Sequence, residues 1–183
     1  MNIISIDPSL RSCGFYGSRD FGNDSSFSIQ EKGDRIQVLG LFLRRFEEQA
    51  KYYDALLIED YAFSRHSQSV TVQAEVGGLA RAAFSAENKP VIEVGISTWK
   101  YITGISGKKA TKKERADYID LVYKKFGQGF DSTDSADAWM IYYSCAMIAA
   151  NNILPTEPTE RLRLEMDKKG IVFNTLLTKN GKV

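Results

Sequence analysis

Two short apolar runs in this chain each stop on an acid. Asn2-Ile3-Ile4-Ser5-Ile6 ends at Asp7, and Ala55-Leu56-Leu57-Ile58 ends at Glu59. A run of this length bounded by turn signals reads as a buried strand. Asp7-Pro8 closes the first one, because the residue before proline is driven out of the α region. Carboxylates at strand ends can converge at one edge of a sheet. A second acidic feature, Asp134 and Asp137, opens a long apolar segment. On a helix an i, i+3 pair shares one face. Four such carboxylates repel one another unless cations fill the cluster, and oxygen-only ligands suit Mg²⁺ or Mn²⁺.

The rest of the chain alternates between the two periodicities. Residues 13–19 and about 25–31 read as further strands, with Gly22-Asn23 as a turn signal between them. Three strands in succession predict an antiparallel meander. From 34 to 53, Ile36, Leu39, Leu43 and Phe46 recur at helical spacing. A fourth strand covers 55–59. A helix over 68–87 carries Val72, Val76, Leu79 and Ala83 on one stripe, with Gly77-Gly78 in its middle. Each mid-helix glycine costs about 1 kcal/mol, so a close packing partner is expected there. Pro90-Val91-Ile92-Glu93-Val94 reads as strand five, and a short helix follows at 97–102. Thr111-Lys112-Lys113-Glu114 has the form of a capping box, starting a helix that Gly127-Gln128-Gly129 ends. The last core helix runs from 132 or 133 to 151. Beyond Asn152, Pro155 and Pro158 interrupt the chain before a charged, helix-compatible stretch at 159–169.

This order predicts an α/β fold, a five-stranded mixed sheet flanked by helices. The expected division is one domain over 1–152 and a C-terminal extension over 153–183. At 183 residues the chain is long enough to bury a sizeable core without disulfides. Its two cysteines, Cys13 and Cys145, fit a reducing compartment and make no disulfide framework. The opening residues lack the pattern of a signal peptide, and no run of 18 apolar residues is present to span a membrane. A cytoplasmic location, in a bacterial cell or a phage-infected host, is the expectation.

Taken singly, each acid also has a structural role open to it. Asp7 can start a turn with Pro8, Glu59 can end an exposed strand, and Asp134 suits a helix N-terminus. Asp137 is harder to place structurally. It lies one turn into an apolar helix, flanked by Ala136, Ala138 and Trp139, and aspartate is a poor helix former. A single histidine, His66, excludes His-rich zinc sites and HExxH chemistry. No GxGxxG, GxxxxGK[ST] or GxSxG pattern is present. The net charge of +1 does not advertise a nucleic-acid binder. Locally, however, residues 100–125 hold eight Lys or Arg against three acids, enough for a phosphate-binding patch or a solvated helix face.

These residues resemble the RuvC family of Holliday-junction resolvases, within the ribonuclease H-like superfamily. Ile4-Ser5-Ile6-Asp7-Pro8-Ser9-Leu10-Arg11-Ser12-Cys13-Gly14-Phe15 is similar to the family's opening Ile-Asp-Pro-Gly-x-Arg-x-x-Gly pattern, with Ser9 in place of its glycine. Leu57-Ile58-Glu59 with Tyr61 and Phe63 resembles its second acidic strand. Residues 75–83 resemble its dimer helix, and Asp134-Ser135-Ala136-Asp137-Ala138 its closing signature.

The resemblance implies a ribonuclease H-like fold and a homodimeric, Mg²⁺-dependent endonuclease (Mn²⁺ being an alternative) with two ions per site. It implies paired symmetric nicks in branched DNA, four-way junctions above all. Asp7, Glu59, Asp134 and Asp137 map onto the metal-binding acids, and Lys100 onto a catalytic lysine. Lys112 or Lys113 matches another lysine of the family. Arg11, Tyr61, Phe63, Arg65, Lys108, Lys109, Lys112 and Lys113 are the expected DNA contacts, and Val76, Gly77 and Ala80 the expected dimer interface. A broader flap-cutting debranching nuclease and a non-catalytic nucleic-acid-binding scaffold are the alternatives.

Overall fold

A computed structural model describes residues 1–9, 12–19, 24–30, 32–60, 68–106, 109 and 111–173, with backbone only at 68–72. The first three strands are β1 (Ile3–Asp7), β2 (Cys13–Ser18) and β3 (Ser25–Ile29). Helix α1 (Arg35–Tyr52), strand β4 (Ala55–Glu59), helix α2 (Gln68–Ala86) and strand β5 (Val91–Val94) follow. Four helices close the chain: α3 (Ile96–Thr103), α4 (Lys112–Phe126), α5 (Thr133–Ala149) and α6 (Glu157–Lys168). The sheet order is β3-β2-β1-β4-β5. The meander β1-β2-β3 is antiparallel, while β1, β4 and β5 are parallel. The mixed five-stranded sheet expected from the strand count is therefore present, with β1 at its centre.

Both faces of this sheet are covered, which is why β1 and β4 could not alternate apolar with polar residues. Successive side chains on a strand point to opposite faces. Ile4, Ile6, Phe15, Leu56 and Ile58 pack against Phe42 and Phe46 of α1 and Val76, Ala80 and Phe84 of α2. Ile3, Tyr16, Leu57, Ile92 and Val94 point the other way, against Trp99 of α3, Tyr118 of α4 and the long apolar body of α5. Leu162 and Met166 of α6, with Ile171 beyond it, join this second core. The proline-marked segment after 152 thus leads into a helix that shares the main core.

Three local features differ from the periodicity reading. The buried stripe of α1 is Val38, Phe42, Phe46 and Ala50, and Ile36 is 81% exposed. Asp34 caps the helix by accepting from the amides of Ile36 and Gln37, and Ile36, two residues before buried Val38, falls on the opposite face of the first turn. On α2, Val76, Gly77 and Ala80 are buried within the chain itself. They pack toward α1 and the sheet of their own chain, where the resemblance implied a dimer interface. Gly78 and Ala82 face outward, and a Cβ on Gly78 would meet nothing within 4 Å, so among the described residues Gly78 has no packing partner.

Candidate active site

Strand parity puts the acids together. Ser5 and Asp7 share the face of β1 that meets α5, and Ser5 Oγ donates to the Ala138 carbonyl at 2.6 Å. β1 and β4 pair in register, Ile6 opposite Ile58, so Asp7 and Glu59 are the next residues on adjacent parallel strands. Glu59 lies on the face of Leu57, which also belongs to the α5 side. Helix α5 supplies the remaining two acids from its first turns. Ser132 caps it, accepting from the Ser135 amide while Ser135 Oγ accepts from the Ser132 amide.

One glycine permits this approach. A Cβ on Gly14 of β2 would lie 2.0 Å from the Asp134 carbonyl oxygen and 2.8 Å from the Ser135 amide nitrogen. The start of α5 therefore rests directly on the backbone of β2, beside Asp7, which pairs with Gly14 in the ladder.

Asp7 and Asp137 are only 8% and 4% exposed, while Glu59 and Asp134 are half-buried. Burial, followed by the charges of Asp137 and Glu59, pushes the Asp7 carboxyl well above the usual carboxylate range. Burial also raises Glu59 and Asp137. Opposing donors limit both shifts. The indole Nε1 of Trp99 donates to Glu59 Oε2 at 2.9 Å. The hydroxyl of Tyr118 donates to Asp137 Oδ1 at 2.5 Å, and Lys109 Nζ forms an ion pair with Asp137 Oδ2. Burial alone would depress the Lys109 ammonium, but the attraction of Asp137 and Asp7 outweighs it and raises the pKa. Burial and the neighbouring Asp137 charge raise the Tyr118 phenol too, keeping it a proton donor.

The structure thus gathers Asp7, Glu59, Asp134 and Asp137 into one electrostatic neighbourhood. Lys109, expected at a DNA phosphate, is turned inward onto that cluster. It is steadied by the Arg115 guanidinium donating to its carbonyl at 3.3 Å. Lys100 Nζ lies 5.2 Å from the centre of the Trp99 ring, and its charge reaches Glu59. Lys112 and Lys113 are exposed on the first turn of α4, Lys113 paired with Asp117 at 3.5 Å. Arg11, Tyr61, Phe63, Arg65 and Lys108 lie outside the described residues.

Sequence reasoning missed Trp99 and Tyr118 as partners of the acids. Neither a Trp preceding a Lys nor a Tyr on an amphipathic helix signals a carboxylate partner that is distant along the chain.

The donor chemistry fits a hard divalent cation: four carboxylates, with no histidine among the described residues, and mutual repulsion that a cation relieves. Among the described residues, however, no three His, Cys, Asp or Glu side chains stand grouped as a ready-made metal site. Lys109 and Tyr118 hold both oxygens of Asp137. Ligation through Asp137 Oδ2 requires Lys109 to withdraw.

Fold and site together define an α/β protein with a buried acidic cluster at the ends of its central parallel strands. Solved structures with this architecture include RuvC. Thermus thermophilus RuvC, in a structure with Holliday junction substrate, matches with a TM-score of 0.63 at 18% identity, covering 82% of this chain and 96% of that one. A second T. thermophilus RuvC structure gives 0.60 at 18% identity over 83% and 97%. The fowlpox virus Holliday junction resolvase is more distant, at 0.46 and 15% identity over 79% and 97%. No protein-family model matches the chain, and no curated protein matches it in sequence. The fold is the ribonuclease H-like fold of RuvC.

Proposed function

We propose that the protein is a metal-dependent, structure-selective endonuclease that resolves four-way DNA junctions by paired symmetric nicks. The convergence of four acids on one end of a RuvC-like sheet carries this reading. Asp7, Glu59, Asp134 and Asp137 would hold Mg²⁺ or Mn²⁺, two ions per site. Bound there, the ions supply activation of water and charge stabilisation in phosphodiester hydrolysis. The chain's own groups prepare the site. β1, β4 and α5 fix the carboxylates on rigid elements, and burial strengthens their hold on any cation. Lys100, and Lys109 once released from Asp137, would meet charge developing on a phosphate. Lys112 and Lys113, exposed on α4, suit the DNA backbone. Two opposed nicks need two sites, hence a homodimer, for which the outward face of α2 is available.

The test offers the purified protein labelled four-way, three-way, flap and linear DNAs with Mg²⁺ or Mn²⁺. Preferential symmetric cutting of the four-way junction is expected. Comparable rates on flaps point instead to a debranching nuclease. Junction binding without cutting on any substrate leaves a nucleic-acid-binding scaffold. Sedimentation at micromolar protein checks the dimer, and monomer alone refutes the paired-nick mechanism. Among the described residues no helix is long and apolar enough to cross a membrane.

A further inference from the structure

Two of the acids are gripped by neutral aromatic donors from elements that carry no acid of the cluster. Trp99 of α3, 1% exposed, donates from its indole to Glu59 Oε2 at 2.9 Å. Tyr118 of α4, 3% exposed, donates from its hydroxyl to Asp137 Oδ1 at 2.5 Å. In each case the aromatic donor engages one carboxylate oxygen; among the described residues Glu59 Oε1 takes no other hydrogen bond, and Asp137 Oδ2 holds the Lys109 ammonium, which a cation would displace. Neither donor can easily turn away. Trp99 is packed in the core with Lys100 over its ring face, and Tyr118 is buried with Lys109 Nζ 4.8 Å from its ring centre.

We infer that Trp99 and Tyr118 are positioning residues that restrict Glu59 and Asp137 to one-oxygen ligation, and so favour Mg²⁺ or Mn²⁺ over Ca²⁺. This rests on the metal-site reading proposed above. Mg²⁺ demands near-ideal octahedral geometry with short bonds, whereas Ca²⁺ takes six to eight oxygens flexibly and accepts bidentate carboxylates. A bidentate grip needs both oxygens of one carboxylate facing the ion. A donor fixed on one oxygen opposes that rotation and orients the other oxygen for a single short bond. A larger ion thereby loses ligands that it needs, while a small octahedral one completes its shell with water.

The experiment measures Mn²⁺ and Ca²⁺ dissociation constants by calorimetry on the full chain without DNA. The proteins are wild type, Tyr118→Phe, Trp99→Phe and the control Asp7→Asn. Melting in chelator establishes that each variant is folded. Tyr118→Phe removes one hydroxyl and keeps the ring, so it decides the question even where Trp99→Phe fails to fold. Removing an outer-shell partner of this kind lowers metal affinity by about 10–100-fold. We expect Mn²⁺ affinity to fall by at least about tenfold while Ca²⁺ affinity holds or rises, so the preference between them narrows by about the same factor. An equal loss for both ions, or no loss for either, overturns the inference. If Asp7→Asn binds Mn²⁺ as wild type does, the metal site itself is wrong and this inference goes with it. If Asp7→Asn loses Mn²⁺ while Tyr118→Phe keeps the wild-type preference, only the positioning role fails.

Discussion

Replacing Gly14 by alanine tests the geometry that brings the acids together. The new Cβ would fall 2.0 Å from the Asp134 carbonyl oxygen, with the Asp134 carbonyl carbon at 2.1 Å and the Ser135 amide nitrogen at 2.8 Å. All three are backbone atoms in the first turn of α5, so no side chain can swing aside. Restoring ordinary contact requires β2 and α5 to separate by roughly 1.4 Å in a close-packed interior. Ser5 Oγ holds the Ala138 carbonyl one turn further along, so the whole first part of the helix resists the shift. Overpacking of this kind costs about 1–3 kcal/mol. For a chain of this size each kcal/mol lowers Tm by about 2–4 °C. Asp134 and Asp137 ride on the displaced turn, and a misplacement of about 1 Å can cost on the order of 10²-fold in rate. Urea melts in chelator measure the first effect, and single-turnover cleavage of a four-way junction the second. Loss of cleavage well beyond what the lost stability explains is the expected result. A Gly14→Ala protein with wild-type stability and cleavage would refute both the close approach and its role in placing the acids.

Other outcomes follow from the same contacts. Asp7→Asn should abolish cleavage yet raise stability in chelator by about 1 kcal/mol, because it removes a buried charge facing Asp137 and Glu59; a lower melting temperature than wild type counts against mutual repulsion. Lys109→Met should destabilise the metal-free protein by about 3 kcal/mol, since a buried Asp137 charge loses its counter-ion, and a melt showing no loss refutes the inward placement of Lys109. Ser5→Ala should cost about 1 kcal/mol through its bond to Ala138, read by denaturant melts. The three raised carboxyls predict a pH dependence in metal-free buffer. Folded groups with raised pKa bind more protons than the unfolded chain, so their contribution is fully present below the ordinary carboxylate range. It is lost as pH rises through the raised values. Tm should therefore rise on mild acidification from neutral pH, and a fall over that interval would contradict the shifts.

Much of this molecule is readable from local pattern. The apolar runs before Asp7 and Glu59 are strands because both faces of each are buried, and the acids follow where the sheet ends. The Thr111 capping box starts α4 as its spacing predicts. Asp134 and Asp137 share a helix face because i, i+3 spacing is a property of the helix alone. These are local rules, and they hold wherever the segment lies.

The remainder depends on what each segment meets in space. Periodicity put Ile36 on the buried stripe of α1, but the face that meets the core is the one carrying Val38, Phe42, Phe46 and Ala50. Small residues on α2 mark a close approach without saying whose, and the structure spends Val76, Gly77 and Ala80 on the chain's own core. Glu59 and Trp99 are 40 residues apart, and Tyr118 and Asp137 are 19 apart, so no spacing rule links them. The sequence by itself determined which segments are strands and helices, and where four acids sit along them. Only the tertiary structure decided that Gly14 lets α5 descend onto β2, that Lys109 turns inward, and that two aromatic donors claim one oxygen each of Glu59 and Asp137. The physical reason is range: propensity and periodicity act within a few residues, whereas burial and charge act between whichever groups the packed fold brings within a few ångströms.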